Sequence, residues 1–113
     1  MSGITTHILD TARGRPAAGV SVLLEQKTTV VWQEISRLKT DNDGRAKGLL
    51  PDNHNLQAGL YRLSFETGEY FKSEGVSSFY PCVSVQFEIH DTSQHYHVPL
   101  LISPFGYSTY RGS

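Results

Sequence analysis

Hydrophobic and polar residues alternate with a period of two along much of this chain, and that period sends successive side chains to opposite faces of a strand. From Ile4 to Asp10, the residues Ile4, Thr6 and Ile8 share one face, while Thr5, His7 and Leu9 share the other. Val20 to Lys27 turns Val20, Val22 and Leu24 one way, and Leu60 to Thr67 sets Tyr61, Leu63 and Phe65 against Arg62, Ser64 and Glu66. Val83 to His90 aligns Val83, Val85, Phe87 and Ile89. His95 to Ser103 places Tyr96, Val98, Leu100 and Ile102 opposite His95, His97, Pro99, Leu101 and Ser103. Thr28 to Lys39, β-branched and aromatic, predicts a further strand after a tight turn. Arg45 is expected to open a short strand towards Leu49 and Leu50, and Tyr107 to Tyr110 is a final β-prone run. Only Gly68 to Gly75 reads as a helix, and one so short needs packing to persist.

Turn chemistry separates these runs. Thr11 to Gly19 holds two glycines and a proline, and Asp41-Asn42-Asp43-Gly44 is a strong reverse turn in which Gly44 is free to take positive φ. Pro51 to Gly59 is a polar loop, Asp91-Thr92-Ser93-Gln94 turns the chain again, and Pro104 to Gly106 follows the strand ending at Ser103. Seven or eight short strands with turns between them predict an all-β sandwich of two sheets with one short helix. At 113 residues the chain is expected to form one domain, 1–113.

Composition narrows the function classes. A net charge of −1 argues against a general nucleic-acid or anionic-membrane binder, which wants a basic surface. The lone Cys82 excludes an intrachain disulfide and a cysteine-based zinc site. Met1-Ser2-Gly3-Ile4-Thr5-Thr6 lacks a basic stretch followed by an apolar one, so no signal peptide is expected. No apolar run approaches the roughly twenty residues that span a bilayer. A cytoplasmic protein is the simplest expectation.

Histidines mark the candidate chemistry. His7 and His97 each lie on the less apolar face of their strand, so both should point away from the core, together with Leu9 and Leu101. Apolar side chains on an outer sheet face suggest cover by another subunit, and a histidine pair in such an interface would be sheltered. His54, His90 and His95 fall at loops or strand ends and read as solvated. No nearby carboxylate completes a metal set around His95 and His97, so no metal site is assigned. Asp41-x-Asp43-Gly44 lacks the remaining ligands of a calcium loop and reads as a hairpin turn. Cys82, after Pro81 at a strand start, reads as a small buried apolar residue. The sequence closes on Tyr110-Arg111-Gly112-Ser113, and the free carboxylate of Ser113 is expected close to Arg111 and to the end of a strand.

Four blocks together resemble the 5-hydroxyisourate hydrolase family, the transthyretin-related proteins of purine degradation. These are Ile4-Thr5-Thr6-His7-Ile8-Leu9-Asp10-Thr11, Asp43-Gly44-Arg45, His95-Tyr96-His97-Val98-Pro99-Leu100-Leu101, and Tyr110-Arg111-Gly112-Ser113. The resemblance spans the whole chain. It implies a transthyretin-like sandwich of about eight strands, assembled as a homotetramer with active sites at the dimer–dimer interface. It also implies hydrolysis of 5-hydroxyisourate without metal or organic cofactor.

By that resemblance His7, Arg45, His97 and Ser113 are the catalytic residues. Substrate-binding roles fall to Arg45, Tyr110, Arg111, Gly112 and Ser113. Opening a cyclic amide requires an activated water, a stabilised oxyanion and a proton for the leaving nitrogen. His7 and His97, with an ordinary pKa of about 6.5, suit the two proton transfers, and which does which stays open. Arg45, always charged, suits the substrate carbonyls or the developing charge. Ser113 acts through its hydroxyl or the terminal carboxylate. Arg111 holds that carboxylate or the substrate ring, Tyr110 chiefly packs, and Gly112 lets backbone come close. The alternative is a transthyretin-like carrier that holds a planar aromatic ligand in the tetramer channel without chemistry.

Overall fold

The computed structural model describes residues 3–113. Among them the chain runs β1 (Gly3–Asp10), β2 (Arg15–Pro16), β3 (Ser21–Lys27), β4 (Trp32–Lys39), β5 (Gly59–Phe65), α1 (Thr67–Ser73), β6 (Val83–Ile89), β7 (His95–Ser103) and β8 (Gly106–Thr109). The strands form two four-stranded sheets, ordered β2-β1-β7-β8 and β4-β3-β5-β6. This is the all-β, transthyretin-like sandwich with one short helix that the alternation and the resemblance predict.

The two inner faces carry the apolar sets read from the period of two. Ile4, Ile8, Tyr96, Val98, Leu100 and Ile102 from one sheet meet Val22, Leu24, Tyr61, Leu63, Phe65 and Ile89 from the other, all buried. Polar groups on these faces are bonded, as burial demands. Thr6 Oγ1 donates to the Val98 carbonyl at 2.7 Å. The Tyr70 hydroxyl, on α1, donates to the buried Asp10 carboxylate at 2.8 Å. Burial, followed by that bond and the charge of Asp10, pushes the Tyr70 pKa up to about 12.

β1 and β7 pair in parallel, from Gly3 opposite His95 through Thr5 opposite His97 and His7 opposite Pro99 to Asp10 opposite Ile102. Two segments ninety residues apart in sequence therefore lie side by side for the length of a strand. No helix among the described residues is long and apolar enough to cross a membrane.

Five expectations need correction. Thr28 to Val31 is a turn rather than the start of a strand. Thr28 Oγ1 donates to the Val31 carbonyl and accepts from the Val31 amide, and these local bonds outweigh β propensity. Arg45 opens no strand; it makes an isolated bridge to His7, after which the chain turns through Gly48 at φ +82°. The Asp41–Gly44 turn therefore joins β4 to that bridge and closes no hairpin. Cys82 is exposed, because the register that turns Val83 inward turns its neighbour outward. His54 is half-buried, with its Nε2 enclosed and lacking a hydrogen-bond partner among the described residues, whereas His90 and His95 are exposed.

Candidate active site

The alternation that buries Thr6 and Ile8 on β1 leaves Thr5, His7 and Leu9 on the outer face, where all three are half-buried. On β7 the same logic turns His95, His97 and Leu101 outward. Parallel pairing sets Thr5 beside His97 and His7 beside Pro99, so the two outward imidazoles are diagonal neighbours on adjacent strands.

Arg45 reaches this face through the Asp41–Gly44 turn. Asp41 Oδ1 accepts from the amides of Asp43 at 2.9 Å and Arg45 at 3.0 Å. The Gly44 carbonyl accepts from the Ile8 amide at 2.8 Å, tying the turn to β1. Gly44 sits at φ +77°, and a side chain there would collide with the Ile8 carbonyl. Arg45 then lies against His7 in an antiparallel bridge. Its side chain is exposed and forms no ion pair among the described residues. The bond from the Arg45 amide is the largest of the influences that hold the Asp41 carboxyl below its usual 3.8.

The segment after β8 closes the other side. The Gly112 amide donates to the His97 carbonyl at 2.9 Å, forming a second isolated bridge. A Cβ on Gly112 would lie 2.6 Å from Cδ2 of the His97 ring, so glycine alone lets the backbone pass this closely. On its opposite edge the ring meets Thr5, whose Oγ1 lies 2.8 Å from His97 Nδ1. The imidazole is thus clamped between β1 and the 111–113 segment. Burial depresses its pKa below 6.5, and repulsion of the protonated ring by Arg45, His95 and His7 adds to the effect, against a backbone hydrogen bond to Thr5 that raises it. The neutral ring, the form that accepts a proton, is thereby favoured.

His7, Arg45, His97 and Gly112 converge on one face. Ser113, next to Gly112, lines a shallow groove with Ser93, Gln94, His95, Arg111 and Gly112. Within the protomer, two of the last four residues are not placed as expected. Arg111 is engaged elsewhere: it donates to Gln94 Oε1 at 2.9 Å and lies 4.5 Å over the Tyr96 ring, a cation–π contact. Tyr110 is 60 % exposed and is not packing within the protomer. Sequence reasoning also passed over Thr5 and read His95 as merely solvated, yet Thr5 Oγ1 lies 2.8 Å from His95 Nε2 as well. Their place on the outward face of alternating strands was the available signal.

Fold and site together define a transthyretin-like sandwich with an imidazole–guanidinium cluster on its outer sheet face. The HIUase/Transthyretin family model matches residues 4–112, and the chain belongs to that family. The 5-hydroxyisourate hydrolase of Caulobacter vibrioides is 48% identical over 117 residues, covering 100% of both chains. The solved 5-hydroxyisourate hydrolase of Klebsiella pneumoniae superposes with a TM-score of 0.83 at 38% identity, covering 97% of this chain and 98% of that one. Sea bream transthyretin, solved in complex with thyroxine, superposes at 0.90 with 33% identity over 96% of this chain and 93% of its own. The sequence relatives make this chain a hydrolase.

Proposed function

We propose that the protein hydrolyses 5-hydroxyisourate to 2-oxo-4-hydroxy-4-carboxy-5-ureidoimidazoline in purine degradation, on the outer face of the β2-β1-β7-β8 sheet. The observation that carries this reading is the clamped His97, its pKa lowered by burial, beside His7 and an Arg45 that forms no ion pair among the described residues. His97 takes a proton from water, and the water oxygen attacks the ring amide carbonyl. The carbonyl electron pair moves onto oxygen, where Arg45 meets the developing charge, a role of donors placed for an oxyanion. Collapse restores the carbonyl, breaks the carbon–nitrogen bond and passes a proton from an imidazolium to the leaving nitrogen. His7 stands within reach of Arg45 to orient substrate or share that proton transfer. The Ser113 hydroxyl, with Tyr110, Arg111 and Gly112, borders the substrate. No metal or organic cofactor enters the steps.

The working unit is a homotetramer in which a second dimer covers this face. Its support is the outward, half-buried Leu9 and Leu101 beside the polar cluster, apolar neighbours that exclude water once covered. His97→Ala and Arg45→Ala should each lower kcat/KM by at least about a hundredfold while the circular dichroism spectrum stays that of the parent. Full activity in either variant would sink the role given to that residue. The likeness to thyroxine-bound sea bream transthyretin favours a carrier as the second reading. Saturable binding of an aromatic ligand with no acceleration of substrate decay would select it.

A further inference from the structure

Thr5 Oγ1 lies 2.8 Å from two ring nitrogens at once, Nε2 of His95 and Nδ1 of His97. A hydroxyl has one proton to give and two lone pairs, so both rings cannot be acceptors and at least one must donate. Two directions satisfy all three groups, and they differ in which nitrogen of His97 carries hydrogen. In the one that runs from His97 Nδ1–H to Thr5 Oγ1 and from the Thr5 hydroxyl to His95 Nε2, the hydrogen of His97 sits on the nitrogen that has a partner in the fold, and the other nitrogen is left to accept.

The surroundings are shaped for this chain of bonds. His95 pairs with Gly3, two residues before Thr5, so its ring must lean along β1 to reach the hydroxyl. A Cβ on Gly3 would lie 3.4 Å from His95 Nδ1, in van der Waals contact with the ring. The edge of the His97 ring at Cδ2 is walled by Gly112. His97 Nε2 makes no hydrogen bond among the described residues.

We propose that Thr5 and His95 are positioning residues that hold His97 as its Nδ1–H tautomer, leaving the Nε2 lone pair bare as the base that takes the proton from water. The proposal rests on the reading of His97 as the general base. It assigns His95 a task that its exposure does not suggest, acting through Thr5 and touching no reacting atom. A free imidazole in water divides its proton between both nitrogens, and the tautomer in a protein is set by the bond the other nitrogen makes.

The test is two-bond 1H–15N correlation spectroscopy of the protein with 15N-labelled histidine, at a pH where His97 is neutral, alongside steady-state kinetics. In the parent protein His97 should show a protonated Nδ1 and a bare Nε2. Thr5→Val, which keeps the side-chain shape, should move the ring towards a mixture of tautomers and lower kcat about tenfold or more with KM nearly unchanged, the loss typical of removing an outer-shell partner. Thr5→Ser should restore both. His95→Ala, at an exposed position that the fold tolerates, should shift the tautomer in the same direction as Thr5→Val and remains informative if that variant folds poorly. A parent His97 protonated at Nε2, or a tautomer indifferent to both Thr5→Val and His95→Ala, overturns the proposal. A parent protein with the expected tautomer but no turnover of 5-hydroxyisourate supports the bond chain and overturns the proposed function instead.

Discussion

At the scale of single residues, the site is governed by what crowds one imidazole. His97 has a hydroxyl at one edge, a glycine at the other, and Arg45, His7 and His95 nearby, all of which oppose a charge on it. Each disfavours the protonated ring or fixes its plane. Protonation of His97 should therefore have its midpoint below 6.5, and activity should be lost as the pH falls through that depressed value and be intact above it. The acid limb of kcat/KM, matched to the NMR titration of His97, checks this; a midpoint above 6.5 would contradict the burial and charge argument. Gly112→Ala drives a methyl into Cδ2 of the ring, so turnover should fall about tenfold or more through misplacement of the base. An unchanged kcat in that variant would mean that the close approach has no bearing on the reaction. Histidine type and outward direction could be read from the alternation of β1 and β7. The hydroxyl between His95 and His97 could not, because the parallel register that joins positions 5 and 97 has no trace in either segment alone.

At the scale of elements, the Asp41–Gly44 turn is what carries Arg45 from the end of β4 to the neighbouring sheet. Gly44 cannot bear a side chain without striking the Ile8 carbonyl, and its φ of +77° is one that other residues adopt at a cost. Gly44→Ala should destabilise the fold by about 1 kcal/mol or more and reduce kcat/KM together, measured by thermal denaturation and steady-state kinetics. Loss of activity without loss of stability would show that the turn serves Arg45 alone. The Asp41 carboxyl, held below 3.8 by the Arg45 amide, keeps this turn formed above that pH and releases it as acid protonates the group. The Asp-Asn-Asp-Gly signal was plain in the sequence, and so were the inner faces of β3, β5, β6 and β7. What followed Gly44 was not. A lone bridge to another sheet leaves no periodic pattern, so Arg45 read as the head of a strand. Thr28 to Val31 misled for the opposite reason, since β-branched residues there serve a turn stabilised by the Thr28 hydroxyl.

At the scale of the whole molecule, β1 and β7 bring the two ends of the described chain together on one open face, and that face holds polar groups beside the half-buried Leu9 and Leu101. An isolated protomer would leave His7 and Arg45 in water, where charge stabilisation is weak. Light scattering should accordingly find four copies per particle at assay concentration, and Leu101→Glu should reduce the particle mass and the activity in step. A fully active monomer would contradict the need for cover. Sandwich class and candidate residues were legible in the sequence, the first from period-two patterning and the second from the four family-like blocks. Exposed Tyr110 and Cys82, and an Arg111 drawn away to Gln94 and Tyr96, were not, because they depend on contacts between strands distant in the chain.

The most direct measurement follows the ultraviolet absorbance of freshly generated 5-hydroxyisourate with catalytic amounts of the protein, against buffer and against His97→Ala. The account predicts decay that is proportional to protein concentration, far faster than in buffer, and lost in the variant. Decay at the buffer rate with the intact protein would contradict it.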